Sequence, residues 1–206
     1  MMRRLGILLS GRGSNFEAIA DHIDRNELDA QIAVVIGNVS QAPGLEKARQ
    51  RGLEATFIGS KGLPREEFDR RLVATLEERQ ADLVCLAGFM RLLSPYFIKS
   101  FPYRILNIHP SLLPSFPGLN AQRQALEYGV KYTGCTVHFV DESLDSGPII
   151  LQAVVPVLDT DTEETLSARI LAEEHKIYSK AIRLVLDNQI RVEGRHVVEV
   201  AADPGH

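Results

Sequence analysis

A continuous apolar run at residues 83–87 is the feature that most limits the folds open to this chain. A strand without polar alternation is buried on both faces, as in the centre of a parallel sheet that helices cover. Similar runs occur at residues 5–9 and 32–36, a further buried strand is predicted at residues 105–108, and helical patterns lie between the first three strands named here. The sequence therefore predicts an α/β fold, with a mostly parallel, twisted, Rossmann-like sheet and helices on both faces.

The second half of the chain predicts strands of a different kind. Apolar runs at residues 132–140 and 148–157 are separated by one loop, which is typical of antiparallel strands appended at one edge of the sheet. A helix is predicted over residues 119–128, and a long amphipathic helix over residues 162–187. A shorter alternation over residues 190–198 predicts a terminal hairpin, followed by a frayed tail.

Composition excludes several classes of protein. The 206 residues, 45% of them hydrophobic, suffice for one domain with a full core. The net charge of −4 provides no general attraction for nucleic acid or for an acidic membrane. Cys85 and Cys135 lie in apolar runs, which predicts buried thiols in a reducing compartment. The sequence has no membrane-spanning stretch and no secretory leader, so we expect a cytoplasmic protein.

The first strand and the first helix are joined by the glycine-rich turn SGRGSN, residues 10–15. Gly11 and Gly13 allow positive φ and close approach of a ligand, and Ser14 is a suitable N-cap. Free amides and the helix dipole make such a turn an anion site. No Lys-Ser/Thr pair follows, and Asn38 stands where a dinucleotide site needs an acid. The turn therefore favours a phosphate monoester; a tight turn that binds nothing is the alternative.

The central motif is LNIHPSLLP at residues 106–114, which begins in a buried strand. Asn107 and His109 are two residues apart, so their side chains lie on the same side of that strand. Asp145 follows another apolar strand, and a carboxylate that faces an imidazole orients it and favours its charged form. These three side chains are candidate catalytic residues. A capping or core role for His109 is the alternative.

Weaker signals occur elsewhere. Residues 88–93, GFMRLL, follow the central apolar strand at the end where open α/β sheets bind ligands. Their apolar side chains and available backbone suit a flat heteroaromatic ring; ordinary loop packing is the alternative. Arg65 lies in the first turn of a helix, where the dipole disfavours a cation, so a ligand role and a solvated charge are both open. Glu173 and Glu174 border the apolar stripe of the long helix, and locally they predict only a solvent boundary.

Four motifs occur in order and carry a resemblance to a known family. They are GRGSN at residues 11–15, AGFMR at residues 87–91, NIHPSLLP at residues 107–114 and LDSGP at residues 144–148. The chain resembles the phosphoribosylglycinamide formyltransferases, folate-dependent enzymes of purine synthesis, to about residue 190. The third motif is shared with methionyl-tRNA formyltransferases and formyltetrahydrofolate deformylases, whereas the glycine turn indicates the purine enzymes.

The resemblance implies one formyltransferase domain over residues 1–206. Its phosphate-binding half would be 1–100, its catalytic and folate-binding half 101–190, and its terminal hairpin and tail 191–206. The implied ligands of the ribonucleotide substrate are Gly13, Ser14, Asn15 and Glu174. The implied ligands of the folate are Arg65, Met90, Arg91, Leu92, Leu93, Asn107, Asp141 and Asp145. The chain departs from the family pattern at Arg12, Asp141, Glu142 and Ser143, which leaves fine folate selectivity open.

The implied reaction transfers a formyl group from 10-formyltetrahydrofolate to the amine of glycinamide ribonucleotide, through a tetrahedral oxyanion, in purine (IMP) biosynthesis. Asn107 and a protonated His109 are the hydrogen-bond donors that such an oxyanion needs. We expect Asp145 to keep His109 protonated and to hold a water that moves a proton from the amine towards N10 of the folate. Neither a metal nor a protein nucleophile is expected.

Three other functions fit parts of the sequence. A deformylase could deliver water to the same site, but it has no use for a phosphate turn and is expected to have an extra amino-terminal domain. A tRNA formyltransferase is expected to have a further carboxyl-terminal domain and a basic surface. A non-catalytic nucleotide-binding module does not require the three polar side chains. The expected partners are the two small-molecule substrates, without nucleic acid or membrane, and the expected state is a monomer or homodimer.

Overall fold

The computed structural model describes residues 3–200, in which strands and helices follow the apolar runs of the sequence. The strands are β1 (Arg4–Leu9), β2 (Gln31–Gly37), β3 (Ala55–Phe57), β4 (Leu83–Leu86), β5 (Ile105–His109), β6 (Tyr132–Phe139), β7 (Ile149–Pro156), β8 (Ile190–Glu193) and β9 (His196–Glu199). The helices are α1 (Ser14–Asp24), α2 (Pro43–Gln50), α3 (Arg65–Glu78), α4 (Pro95–Ser100), α5 (Ala121–Tyr128) and α6 (Glu163–Leu186).

Seven strands form one sheet in the order β3-β2-β1-β4-β5-β6-β7. Neighbouring strands from β3 to β5 are parallel, whereas β6 and β7 are added antiparallel at one edge. Strands β8 and β9 form a separate antiparallel hairpin. The predicted α/β fold class is thus confirmed, including the antiparallel strands at one edge. The division into functional halves stays a prediction.

The central strands divide their side chains between two hydrophobic cores. Leu83 and Cys85 of β4 point into a core that α1, α2 and α6 cover, called here the α1 core. Val84 and Leu86 point the other way, into a core that α3 and α4 cover, called the α3 core. Successive strand residues alternate between faces. A strand between two cores must therefore be apolar at every position, which explains the unbroken run that the sequence contains.

Tyr178 of α6 ties this helix to the central strands. Its side chain is buried, and its hydroxyl lies 3.0 Å from the carbonyl oxygens of both Leu86 and Leu106. These carbonyls belong to β4 and β5. A buried hydroxyl requires a hydrogen-bond partner, and here the partners fix the helix against two neighbouring strands.

Helix α4 is not among the predicted elements. Ser94 is its N-cap and accepts a hydrogen bond from Phe97 N at 3.4 Å, and Pro95 is its first residue. The helix has six residues, too few for a hydrophobic period to be visible. The predicted frayed tail, residues 201–206, lies outside the described residues. No helix within residues 3–200 is both long and apolar enough to cross a membrane.

Candidate active site

Three adjacent strands position most of the predicted site residues. The glycine turn follows β1, residues 88–94 (the 88–94 loop) follow β4, and Asn107 and His109 lie in β5. Leu106 and Ile108 are buried in the α1 core. Because strand residues alternate, Asn107 and His109 point to the opposite face of the sheet.

The structure brings His109 and Asp145 together. His109 is buried, and its Nδ1 lies 3.4 Å from Asp145 Oδ2. The loop that joins β6 to β7 carries Asp145, which has a positive φ of 47°. Gly118 N donates a hydrogen bond of 2.8 Å to Asp145 Oδ2. The carboxylate is therefore held from a second loop while it faces the imidazole.

Both ring nitrogens of His109 face hydrogen-bond acceptors. The imidazole Nε2 lies 2.9 Å from the carbonyl oxygen of Phe116, which can only accept a hydrogen bond. On the other side of the ring, Nδ1 faces the carboxylate of Asp145. Two acceptors for two ring nitrogens suit an imidazolium, in which both nitrogens donate. The same geometry means that both donors are directed to protein atoms.

His138 is a site residue that the sequence patterns did not reveal. It pairs with Asn107 across β5 and β6, and its Nε2 lies 3.2 Å from Asn107 Nδ2 and 3.9 Å from Asp145 Oδ1. Its Nδ1 lies 2.8 Å from the Phe139 carbonyl and must donate to it. Burial lowers the pKa of His138 below its ordinary value, so the ring is neutral and Nε2 accepts from the Asn107 amide. His138 therefore orients Asn107.

Gly13 shapes the glycine turn. It has a φ of +72° and is the N-cap of α1, whereas Ser14, the predicted cap, is the first helical residue. A Cβ on Gly13 would lie 2.9 Å from Gly44 Cα, so the turn has no room for a side chain. Gly11 does not have the positive φ that was predicted for it. The first helical bond runs from Glu17 N to Gly13 O, which leaves the preceding amides to an anion.

Glu174 is a correction to the local prediction, which treated it as a solvent-boundary residue. Its exposed fraction is 7%, whereas Glu173 is half-buried and pairs with Lys176. The Asn15 side chain, also buried, donates from Nδ2 to Glu174 Oε2 at 2.7 Å. Burial raises the pKa of Glu174. Asn15 Oδ1 is buried without a hydrogen-bond partner in the described residues. This oxygen can therefore accept a hydrogen bond from a ligand that lies beside the turn.

The 88–94 loop presents apolar side chains to solvent. Met90 and Leu92 are 67% and 53% exposed, and Leu93 is half-buried. Arg91 is half-buried too, and its guanidinium carbon lies 4.9 Å above the centroid of the Phe68 ring. The loop therefore combines exposed apolar surface with a cation held against α3.

Two predicted folate ligands lie outside this centre. Arg65 is the exposed first residue of α3, and its side chain forms no hydrogen bond or ion pair with other residues of the 3–200 range. Asp141 begins the loop that carries Asp145, and its Oδ1 accepts hydrogen bonds from Ser143 N at 3.0 Å and from Ser146 Oγ at 3.2 Å. Asp141 thus shapes this loop, and the structure gives no contact that tests a ligand role for either residue. The expectation that no metal takes part also stays a prediction.

Comparison with known proteins identifies the family. The formyl transferase family model matches residues 3–182. The chain is 46% identical to the phosphoribosylglycinamide formyltransferase of Escherichia coli, over 90% of this chain and 88% of that protein. It is 48% identical to the human trifunctional purine biosynthetic protein adenosine-3, over 92% of this chain, but it spans only 19% of that protein's length.

A solved structure agrees with these matches. The glycinamide ribonucleotide transformylase 1 of Symbiobacterium toebii superimposes with a TM-score of 0.95 at 53% identity, covering 97% of this chain and 94% of that one. The resemblance that the four motifs indicate is confirmed. The chain belongs to the formyl transferase family.

Proposed function

We propose that the protein transfers the formyl group of 10-formyltetrahydrofolate to the glycinamide amine of N1-(5-phospho-D-ribosyl)glycinamide, a step of purine biosynthesis. The observation that carries this proposal is the placement of an anion-suited glycine turn after β1 and an Asn-His-Asp centre at β5 and the β6–β7 loop, on the two sides of β4. Hydrolysis of a formyl-folate would need the centre but not the turn. The names of the relatives described above support the same reaction.

On the acceptor side, the phosphate would bind to the amides of Gly13, Ser14 and Asn15 at the start of α1. The free amides and the helix dipole both favour an anion there. The buried Glu174 carboxyl and the unpaired Asn15 Oδ1 would accept hydrogen bonds from the hydroxyl groups of a ribose. This arrangement would recognise a phosphorylated ribose through both its phosphate and its hydroxyl groups.

On the folate side, the pterin would lie against Met90, Leu92 and the backbone of the 88–94 loop. Exposed apolar side chains beside free backbone groups suit a flat ring with a polar edge. Arg91, Leu93 and Asp141 would line the same side, and Arg65 would serve the distal part of the folate. The bound folate supplies a formyl carbon that is open to attack by an amine.

Asn107 would stabilise the negative charge that develops on the formyl oxygen during this attack. One hydrogen of its amide is directed to His138 Nε2, and the second is available. The loss of such a donor typically costs about 10²–10³ in rate. His138 acts here as a positioning residue, because it determines which end of the Asn107 amide faces the substrate.

His109 would add positive charge at the same place. Since its Nε2 is directed to the Phe116 carbonyl, a formyl oxygen must replace that carbonyl before His109 can donate to it. Asp145 would stabilise the imidazolium and hold a water that carries one proton from the attacking amine to the leaving nitrogen. The amine nitrogen first bonds to the formyl carbon to give the tetrahedral oxyanion, and the bond from that carbon to N10 then breaks.

The test is release of tetrahydrofolate from 10-formyltetrahydrofolate with and without glycinamide ribonucleotide. We expect release only when the amine acceptor is present, with formation of one formylated product for each folate released. Equal release without the acceptor would replace the transferase with a hydrolase.

We further infer a cytoplasmic enzyme, monomeric or homodimeric, that acts on small molecules and not on nucleic acid. The two thiols support a reducing compartment, because Cys85 and Cys135 are free and buried and burial raises the pKa of both, that of Cys135 to about 12. Gel filtration at several protein concentrations tests the assembly state.

A further inference from the structure

Two polar side chains outside the catalytic centre contact the backbone of the 88–94 loop. At its first end, Ser10 N donates to Gly88 O at 3.0 Å, and Ser10 Oγ accepts from Met90 N at 2.8 Å. Ser10 directly follows β1 and is the first residue of the glycine turn. The loop is therefore fixed to the neighbouring strand at its start.

Asp69 holds the other end. This residue of α3 is only 1% exposed, and its Oδ2 accepts a hydrogen bond of 2.5 Å from Ser94 N. Its Oδ1 is buried and has no hydrogen-bond partner in residues 3–200. A buried carboxylate with one partner is unfavourable for folding. Core packing does not explain its presence in the α3 core.

The segment between these two ends keeps its backbone free. Arg91, Leu92 and Leu93 form no backbone hydrogen bonds within the described part of the chain. The guanidinium of Arg91 rests on Phe68, the neighbour of Asp69 in α3. The loop thus has fixed ends and a middle whose amide and carbonyl groups can face a ligand. Such preorganisation lowers the entropy that binding must overcome.

We propose that Ser10 and Asp69 are positioning residues that hold the 88–94 loop in the shape that binds the pterin ring. The inference rests on the proposed function, which assigns this loop to the folate. Neither side chain touches the reacting atoms in this account. Both act through the backbone of the loop, so their loss should weaken folate binding and spare the chemical step.

The test measures the Kd of tetrahydrofolate and of glycinamide ribonucleotide by calorimetry, together with kcat and KM for the formyl donor. Asp69→Ala should raise the Kd of tetrahydrofolate about tenfold or more, since a hydrogen bond to a charged group is lost. Asp69→Asn should recover most of this affinity, because its amide oxygen can still accept from Ser94 N. Ser10→Ala should raise the Kd of tetrahydrofolate about two- to tenfold. Ser10→Thr keeps the hydroxyl, so it should raise this Kd less.

In all four variants we expect the ribonucleotide Kd and the kcat at saturating folate to stay within about twofold of wild type. The matched control is Asp161→Ala. Asp161 also has an inaccessible carboxylate, but its hydrogen-bond partners are Leu158, Thr165 and Arg169, none of which belongs to the loop. Its loss should lower the unfolding midpoint and leave both Kd values unchanged.

Several results would overturn the inference. One is an unchanged tetrahydrofolate Kd in Ser10→Ala. This test remains valid even if Asp69→Ala does not fold. Another is equal loss of both ligands in Asp69→Ala, which would indicate a general structural role. If the wild type binds tetrahydrofolate and all variants bind it equally well, the inference about Ser10 and Asp69 is wrong, but the proposed function is not affected. A wild-type protein that binds none refutes the proposed function, and the inference with it.

Discussion

The glycine turn follows β1 and the Asn-His-Asp centre lies at β5, on the two sides of β4, and they offer different chemical groups. The turn offers backbone amides, and its critical residue is Gly13, where a side chain has no room. The centre offers side chains, each held by a second group: His138 holds Asn107, and Gly118 N holds Asp145. At a site made of backbone amides, a substitution is harmful when it adds a side chain that has no room. At a site made of side chains, a substitution of the same shape is harmful when it removes a charge that the site needs.

The largest effect is expected from Asp145→Asn. The amide keeps the shape, tolerates the positive φ and can still accept from Gly118 N, but it has no charge. We expect kcat to fall by about 10²–10³ at neutral pH with nearly unchanged ligand affinities, because the imidazolium of His109 loses its stabilising partner.

Asn107→Ala is the matched comparison for this prediction. It should cost a similar factor at every pH, because an amide does not titrate. An Asp145→Asn protein with near-normal turnover and an unmoved His109 titration by NMR would reduce Asp145 to a turn residue.

Gly13→Val should weaken the ribonucleotide by about 10²-fold, because it combines a steric clash with an unfavourable φ at the site of backbone approach. The tetrahydrofolate Kd should change little. Gly11→Ala is the control, since a Cβ at Gly11 meets no atom within 4 Å. Calorimetry that finds equal losses for both ligands in Gly13→Val would indicate misfolding instead of a lost anion site.

His138→Phe should lower kcat about tenfold, since an unoriented Asn107 amide still donates for part of the time. The fold should be retained because the ring remains. Burial lowers the pKa of His138, so in the wild type the acceptor is lost only at pH values below the ordinary histidine range. The pH–rate profile of the variant should lack that acidic contribution. A variant with wild-type kcat would show that His138 is not needed to orient Asn107.

Glu174→Gln should have the smallest effect on the free protein, and a favourable one. Burial raises the pKa of Glu174, so the folded state favours the protonated form; that stability is present at low pH and is lost as pH rises through the folded pKa. Glutamine removes this loss. The unfolding midpoint should rise by a few degrees at pH 7, given about 2–4 °C per kcal/mol, and the gain should vanish near pH 4. Ribonucleotide affinity should fall, and a lower midpoint at pH 7 would contradict the assignment.

The strand skeleton could be predicted from the sequence because it depends on local apolar runs, and strand bounds agree with the structure to within one residue. Three features of the site and of its supporting contacts could not be predicted. The burial of Glu174 depends on how α6 meets α1, and the role of His138 depends on the β5–β6 register. Asp69 has the local pattern of an ordinary acidic residue on the solvent face of a helix. Each is set by contacts between distant segments, for which a local pattern contains no signal.

The division of the strands between two cores has a consequence for how such an enzyme can change. The proposed acceptor side depends on α1 and α6 and the core they cover, whereas the 88–94 loop depends on α3 and the opposite core. The sheet separates the two. Substitutions that reshape one substrate's site therefore need not disturb the packing that supports the other, so the specificities for acceptor and donor can diverge independently within one scaffold.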